Sequence, residues 1–323
     1  MGANQHNIAI VIPTIGRSAE LGRMLESLAA QTRLPNEVII VDEDESSRAF
    51  ADRFPQLNIR VLVLPGSATA KRNAGIKALR RDVALVGFMD DDIVLEPAAV
   101  GAVAAFWEQA KSALGGTGCN YANAPGGFAP ALKRLPIWAA LGLYQPQPGG
   151  VARSGFQTRA SGLQQTARVR WLPSGATFYS REVLEEFRFD EWFDSYSYLE
   201  DLDFSYRVGR KYQLAVVSAA NFHHYPSQVG RPGAYLFGKK EVLNRFYFVS
   251  KHPELSRGLC CLALLIRTLM NLAFSVVRMH RGYLERFGGN LAGMGMILWA
   301  RGGRTRHEPR TVHPKEPRPF QAA

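Results

Sequence analysis

The sequence predicts an α/β protein: a mostly parallel sheet flanked by helices, carrying a helical extension at its C-terminal end. Three observations lead there. Over the first hundred residues short apolar runs alternate with segments of helical spacing, the pattern of strand–helix–strand units joined by right-handed crossovers. Each apolar run stops at polar or charged residues, as strands do where they reach the edge at which such sheets bind ligands. Beyond residue 230 the pattern changes to long helical stretches. The chain therefore divides into an α/β domain over residues 1–230, a helical amphipathic or hydrophobic extension over 231–300, and a basic, proline-rich tail over 301–323 expected to be disordered.

Ile8–Ile12 (IAIVI) reads as a buried strand, closed by Pro13 because proline cannot donate to the ladder. Ser18 is the expected N-cap of a helix over residues 19–30, where Leu21, Met24, Leu25 and Leu28 share one face. Val38–Val41 is the second strand and ends at Asp42 in the acidic run DEDE. Val61–Leu64 is the third, stopped by Pro65-Gly66, and Thr69 is expected to cap a helix running to Arg80. Val83–Met89 is the fourth and runs straight into Asp90, Asp91 and Asp92. Three adjacent carboxylates at a cleft mouth repel one another and suit a hard divalent cation that bridges them to substrate phosphates. The plainer alternative is a solvated acidic turn.

Residues 115–170, rich in Gly, Pro and Ala, read as irregular connections around the cleft, with a mobile loop expected near Gly149-Gly150 or Ser154-Gly155. Trp171–Tyr179 reads as a return to the sheet and Glu182–Phe187 as a short helix. Tyr198–Val208 has helical spacing, with Glu200, Asp201 and Asp203 in a first turn whose dipole favours carboxylates. Leu214–Ser218 is a further strand, followed by Asn221-Phe222-His223-His224, where the histidine pair is open between a structural and a metal-binding role.

At 323 residues, with 46% apolar and 21% charged residues, the chain is a globular protein. Cys119, Cys260 and Cys261 make no disulfide framework, which fits a reducing compartment. The start has no basic segment leading into an apolar core, so no export signal is expected, and His6 argues against a myristoylation site. The net charge of +11 invites a nucleic-acid partner, but no helix-turn-helix, zinc-finger or aromatic RNP pattern supports one. The charge serves an anionic membrane surface or a phosphorylated substrate equally well. No G-x-G-x-x-G follows the first strand and no G-x-x-x-x-G-K-[ST] occurs, which removes the main support for dehydrogenase and P-loop readings.

Polar residues recur where the strands end: Thr14 and Arg17 after the first, Asp42 and Asp44 after the second, Arg72 after the third, the aspartates after the fourth. That mixture suits a sugar diphosphate with its metal. The order of motifs resembles the family 2 inverting glycosyltransferases of the GT-A fold. The residues that carry the resemblance are VIPTIGR (11–17), VDEDES (41–46), AKRNAG (70–75), MDDDIVLEP (89–97), SGATFYSRE (174–182), LEDLDFSYR (199–207) and FHHYPS (222–227), spanning two-thirds of the chain. The resemblance implies a nucleotide-sugar donor, a saccharide or lipid-linked acceptor, and Mn2+ or Mg2+. It implies donor-binding roles for Pro13, Thr14, Arg17, Asp42, Asp44, Arg72, Asp90 and Asp91. Asp90 and Asp92 resemble the D-x-D pair, Asp92 as a metal ligand and Asp90 towards the ribose or metal. Glu200-Asp201 resembles the family's ED pair, with Asp201 the catalytic base and Glu200 and Gly175 on the acceptor side. His223 is similar to the histidine that completes the metal shell, with His224 as its alternative.

Lys239–His252 reads as a helix. Gly258–Met279 is long enough, at about 20 residues, to cross a bilayer, but Arg267, Asn271 and Arg278 make it a poor span. With the weakly apolar Leu291–Ala300 it is expected to form an amphipathic hairpin on the inner leaflet, aided by the basic tail. That places the protein in the cytoplasm, peripheral on the cytoplasmic face of the membrane. The alternative is a buried helical subdomain packed on the sheet. Two rival functions remain in view. A nucleotidyltransferase would carry a glycine-rich loop with a basic residue after the first strand, which VIPTIGRSAE lacks. A non-catalytic binder of sugar nucleotides or polyanions would have no use for Asp201 and the full carboxylate set.

Overall fold

The computed structural model describes residues 7–110, 113–125, 136–194 and 196–302. Residues 303–323, most of the tail read above as disordered, lie outside the described residues. The N-terminal half alternates as expected: β1 (Ile8–Pro13), α1 (Ser18–Ala29), β2 (Glu37–Asp42), α2 (Ala49–Arg53), β3 (Ile59–Val63), α3 (Ala68–Ala78), β4 (Leu85–Met89), β5 (Ile93–Leu95) and α4 (Ala99–Glu108). Then come β6 (Leu114–Tyr121), α5 (Pro136–Ala140), β7 (Ala167–Val169), β8 (Ala176–Ser180), α6 (Arg181–Glu186), α7 (Glu200–Gly209) and β9 (Gln213–His224). Three helices follow among the described residues: α8 (Ala234–Lys251), α9 (Arg257–Val277) and α10 (Arg281–Gly302).

One nine-stranded sheet runs in the order β3-β2-β1-β4-β8-β6-β9-β5, with β7 paired to β9. β1 to β4 are mutually parallel, and every residue of β1, β2 and β4 is buried, as expected of strands covered on both faces. β8 enters antiparallel to both β4 and β6, so the sheet as a whole is mixed. One core lies between the sheet and α1, α4 (Leu25, Val100, Phe178); the other lies between the sheet and α3, α6, α7 (Val11, Ile76, Phe204). α3 lies so close to β1 that a Cβ on Gly75 would fall 2.3 Å from Val11 Cγ1.

Local details depart from expectation. Ser18 opens α1 as its first residue; Arg17 occupies the cap position without a side-chain cap bond. The cap of α3 is Ser67, which accepts from the Ala70 N–H, while Thr69 lies inside the helix and donates to the Phe193 carbonyl. The stretch read as irregular contains β6, a central strand. Its sequence, LGGTGCNY, lacks the β-branched signature because neighbours crowd its backbone. A Cβ at Gly115 would meet Tyr212 Cβ at 2.4 Å, and one at Gly116 the Tyr179 ring at 2.7 Å. The 149–158 loop, expected to be mobile, is pinned: Gly149 N–H donates to the Thr158 carbonyl and Thr158 N–H to that of Gly150, and Ser154 is fully buried.

The C-terminal helices pack on α7 and the segment around Phe193 rather than on the sheet, through Val242, Phe248 and Leu264 against Leu202 and Tyr206. α10 closes on α8 along glycines; a Cβ at Gly289 would clash with the Tyr235 carbonyl oxygen. Inside this trio the carboxylate of Glu241, 2% exposed, accepts from Arg286 and Arg267, with Asn290 beside it and Asn271 bonded to Asn290. Arg267 and Asn271, read above as obstacles on an apolar helix, thus face inward. Leu262, Leu265, Leu269 and Leu272, at helical spacing on α9, face outward at 37–54% exposure, and Leu298 and Trp299 of α10 are more exposed still.

Candidate active site

An open cleft of about 1010 Å³ lies at the edge where β1 and β4 end and β8 begins. Its geometry follows from the sheet. Parallel strands deliver their C-terminal residues to one edge, so Pro13, Thr14 and Asp90–Asp92 arrive together although far apart in sequence. At the β1 end Lys71, 3% exposed, donates to the Thr14 carbonyl at 2.7 Å and stands 3.6 Å from Glu43. Burial holds its ammonium below the ordinary value.

The three aspartates have separate environments. Asp91 is a strut: it accepts from Thr14 Oγ1 at 2.6 Å and Arg17 Nη1 at 2.9 Å, and burial pushes it up to about 6 against both. Burial opposes the charge on Arg17, but the aspartates outweigh it and hold the guanidinium above its ordinary value. Asp92 accepts from His224 Nε2 at 2.9 Å and from the Ser227 N–H at 3.0 Å. Burial opposes its charge too, yet those bonds and Arg17 keep it below the ordinary carboxylate range. Asp90, the most accessible of the three, accepts from Arg72 Nη2 at 2.9 Å and Ser174 Oγ at 3.3 Å.

Arg72 ties the two acidic motifs together. Its Nη1 donates to Glu200 Oε1 at 2.8 Å, so one buried guanidinium bridges the end of β4 to the start of α7. Desolvation works against its charge, and Glu200 and Asp90 more than compensate. Glu200 is 7% exposed. Burial and the neighbouring Asp201 push it up to about 8, in spite of Arg72. Asp201 accepts from the Leu202 N–H at 2.7 Å and the Ser174 N–H at 3.1 Å. Burial raises it, while those two N–H groups, Arg72 and Arg159 favour its charge. Burial raises both members of the pair, Glu200 against its bond to Arg72 and Asp201 against two N–H donors. The turn that delivers it is strained: buried Leu199 sits at φ 75°, in left-handed backbone unfavourable to leucine.

Of the residues expected at the site, Pro13, Thr14, Arg17, Arg72, Asp90, Asp91, Asp92, Glu200 and Asp201 line one cleft. Others are placed differently. His223 turns away and meets Glu96 Oε1 at 3.2 Å; it is His224 that reaches Asp92. Consecutive strand residues point to opposite faces, and a register shift between Cys119 and Asn120 opposite Val217–Asn221 resets the phase just before the pair. Asp42 lies below the surface, accepting from the Ser46 and Ser47 hydroxyls, while the cleft wall there is Glu43. Asp44 is exposed and caps the turn at the Ser46 N–H. Gly175 is a structural position: its carbonyl accepts from the Asp90 N–H, and a Cβ there would press on Phe222 at 3.0 Å. Residues the sequence reading passed over also line the cleft, notably Lys71, Gln157, Arg159 and Tyr196. Lys71 had a signal, its place beside Arg72 in AKRNAG; the others come from segments without a recognisable pattern.

A cleft at the carboxyl edge of a parallel half-sheet, walled by acidic turns and buried cations, is where open α/β proteins bind their ligands. Residues 9–186, more than half of the chain, match glycosyl transferase family 2, and the chain belongs to that family. Over 93 residues it is 39% identical to an uncharacterized glycosyltransferase, YwdF, of Bacillus subtilis, covering 28% of this chain and 34% of that protein. It is 37% identical over 93 residues to an uncharacterized glycosyltransferase of Haemophilus influenzae, covering 28% and 31%. The match thus spans about a third of the length of these curated relatives. Among solved structures, the chain is similar in fold to the mannosyltransferase PcManGT from Pyrobaculum calidifontis in complex with GDP-Man and Mn2+. That likeness has a TM-score of 0.53 at 13% identity, over 91% of this chain and 87% of that one. It is also similar to residues 1–349 of S. aureus TarS, with a TM-score of 0.50 at 17% identity, over 85% and 73%. The architecture is of the GT-A type.

Proposed function

We propose that this chain is an inverting, metal-dependent glycosyltransferase that moves a sugar from a nucleotide-sugar donor to a saccharide or lipid-linked acceptor, in cell-surface polysaccharide or glycolipid synthesis. The observation that carries the reading is one cleft with Asp90 and Asp92 on one wall and Asp201 on another, cross-linked by Arg72 through Asp90 and Glu200. The donor's nucleoside end would lie by Pro13, Thr14 and Lys71, where the buried ammonium already fixes the Thr14 carbonyl. Arg72 and Arg17 hold the carboxylates in register and present positive charge towards the diphosphate.

Asp92, Asp90 and His224 suit a divalent ion. Asp92 keeps a charged carboxylate with an imidazole nitrogen 2.9 Å away, the mixed oxygen and nitrogen donors that manganese accepts. Among the described residues no three His, Cys, Asp or Glu side chains form a ready cage. Such a site leaves most of the shell to phosphate and water, the usual arrangement for a small hard ion. A bound ion supplies neutralisation of the diphosphate leaving group. Asp201 accepts the proton of the acceptor hydroxyl as that oxygen attacks the anomeric carbon opposite the departing diphosphate, which inverts the centre. Glu200, pinned by Arg72, adjoins the base and is held in place from the donor side. The test is a thermal-shift panel of nucleotide sugars with and without manganese. A donor at a hundred times its dissociation constant adds roughly 2.7 kcal/mol of stability. No shift with any nucleotide sugar and manganese, and no nucleoside diphosphate released, would overturn the reading.

The same proposal puts the enzyme on the cytoplasmic face of a membrane. α9 is long and apolar enough to cross a membrane by length and composition, and its Arg267, Thr268 and Asn271 turn inward. Its outward leucines and the exposed Leu298 and Trp299 of α10 present apolar side chains to solvent, with Arg278 and Arg281 at the turn between the two helices. Apolar area rimmed by arginine suits a leaflet rich in anionic lipid.

A further inference from the structure

Beyond the catalytic pair the cleft continues over β8 and β6. The nucleoside-side residues Pro13, Thr14 and Lys71 form one wall of the cleft, and Tyr121, Trp171 and Gln157, from β6 and the segments before β8, form another, where the Tyr121 ring lies 5.9 Å from that of His224. Arg159 belongs to this second wall. It lines the cleft with Asp201, and its guanidinium lies 5.3 Å from the centre of the Tyr121 ring. Arg17 is committed to Asp91, and Arg72 to Asp90 and Glu200. Arg159, exposed, makes no ion pair with any described residue.

The segment presenting Arg159 is built to hold it. Trp171 Nε1 donates to the Thr158 carbonyl at 2.9 Å, Thr158 N–H donates to the Gly150 carbonyl, and Ala160 is buried. On the other side Arg245, 2% exposed, donates from Nη1 to the Gly155 carbonyl and to Gln157 Oε1. Because Arg245 takes that oxygen, Gln157 has its amide N–H2 left to offer a ligand. A pinned loop, a guanidinium without an ion pair among the described residues and an amide donor, all lining the cleft that holds Asp201, make an anion-reading subsite there. Asp201 is within electrostatic reach of this guanidinium but forms no ion pair with it, so an anionic acceptor would give Arg159 a direct partner that a neutral sugar does not.

We infer that the acceptor is an anionic glycoside, carrying a phosphate or a carboxylate next to the hydroxyl that attacks, and that Arg159 with Gln157 recognises that group. This rests on the transfer reading above for the word acceptor, and not for the anion site itself. A lipid-linked sugar phosphate and an acidic sugar offer the same oxyanion, so the probes must separate them.

Binding of butyl glucoside, butyl glucuronide and butyl glucosyl phosphate to the full-length protein is measured by calorimetry, with wild type, Arg159→Gln and Arg159→Lys. One or both anionic probes bind wild type at least about tenfold tighter than the neutral one, the scale of one charge-assisted hydrogen bond. Arg159→Gln abolishes the preference and Arg159→Lys keeps part of it. Preference for the phosphate points to a phosphate-linked acceptor, and for the glucuronide to an acidic sugar. Equal binding of all three to wild type, or anionic binding unchanged in Arg159→Gln, overturns the inference. In a companion turnover assay Arg159→Gln raises the KM of the acceptor and leaves that of the donor alone. The reverse pattern moves Arg159 to the donor and also overturns it. Anion preference without nucleoside diphosphate release on any acceptor would sink the transfer reading while upholding the subsite.

Discussion

Replacing Asp201 by asparagine separates chemistry from architecture. Asp201 accepts two backbone N–H groups, from Leu202 and Ser174. Asparagine retains one acceptor oxygen and loses the other, so one buried N–H goes unmatched at a cost of about 1–3 kcal/mol. Removing a charge next to Glu200 offsets part of that, because Asp201 is one of the groups pushing Glu200 up to about 8. The variant therefore stays folded within a total stability of roughly 5–15 kcal/mol. Its nucleotide-sugar thermal shift stays within about twofold of wild type in apparent affinity, since the nucleoside-side contacts lie at Thr14 and Lys71. Loss of a general base costs about 10²–10⁴ in rate, or roughly 2.7–5.5 kcal/mol of barrier. The assay is release of nucleoside diphosphate at saturating donor and acceptor, with the melting temperature taken on the same sample. In wild type the rate rises with pH as a proton leaves the Glu200–Asp201 pair, because the base must be ionised and burial raises both groups. That acid limb disappears in Asp201→Asn. A variant that keeps its rate within tenfold, or one that loses the donor shift together with turnover, would refute the assignment.

Three further outcomes follow from the coordinates. His224→Ala weakens the manganese dependence of donor binding at least about tenfold, whereas His223→Ala changes it less than twofold; titration of the thermal shift with manganese distinguishes them. Glu241→Leu leaves Arg267 and Arg286 without their buried partner and destabilises the fold by about 3–5 kcal/mol, read by denaturant melts. Arg267 and Arg286 hold the Glu241 carboxyl below its ordinary value against burial, so its contribution is present above that value. It is lost as pH falls through the lowered one, and the cost of Glu241→Leu shrinks in acid. Leu269→Glu, on the exposed face of α9, cuts co-sedimentation with anionic vesicles several-fold and leaves the melting temperature within about two degrees. Unchanged sedimentation would remove α9 from any membrane contact.

The order of strands and helices was legible because apolar patterning is a local property: IAIVI, VIIV and ALVGFM are short, rich in β-branched residues or bounded by polar ones and proline, which favours buried strands over helices. The acidic turn after β4 and the carboxylates opening α7 were legible for the same reason, as polar groups at the ends of regular elements. β6 was not, because its glycines answer to Tyr212 and Tyr179, residues far away in the sequence. The caps were misread where several Ser and Thr compete near one helix start and only the backbone decides between them.

By itself, then, the sequence determined the α/β class, the family and the two acidic motifs, all of which depend on residues near one another in the chain. Tertiary structure decided which histidine reaches Asp92, since strand alternation beyond a bulge cannot be counted from the sequence. It decided that Arg72 joins Asp90 to Glu200 and that Arg159 stands uncommitted beside Asp201. It also turned Arg267 and Asn271 inward and the leucines of α9 outward, because only packing against α8 and α10 selects which face of a helix is buried.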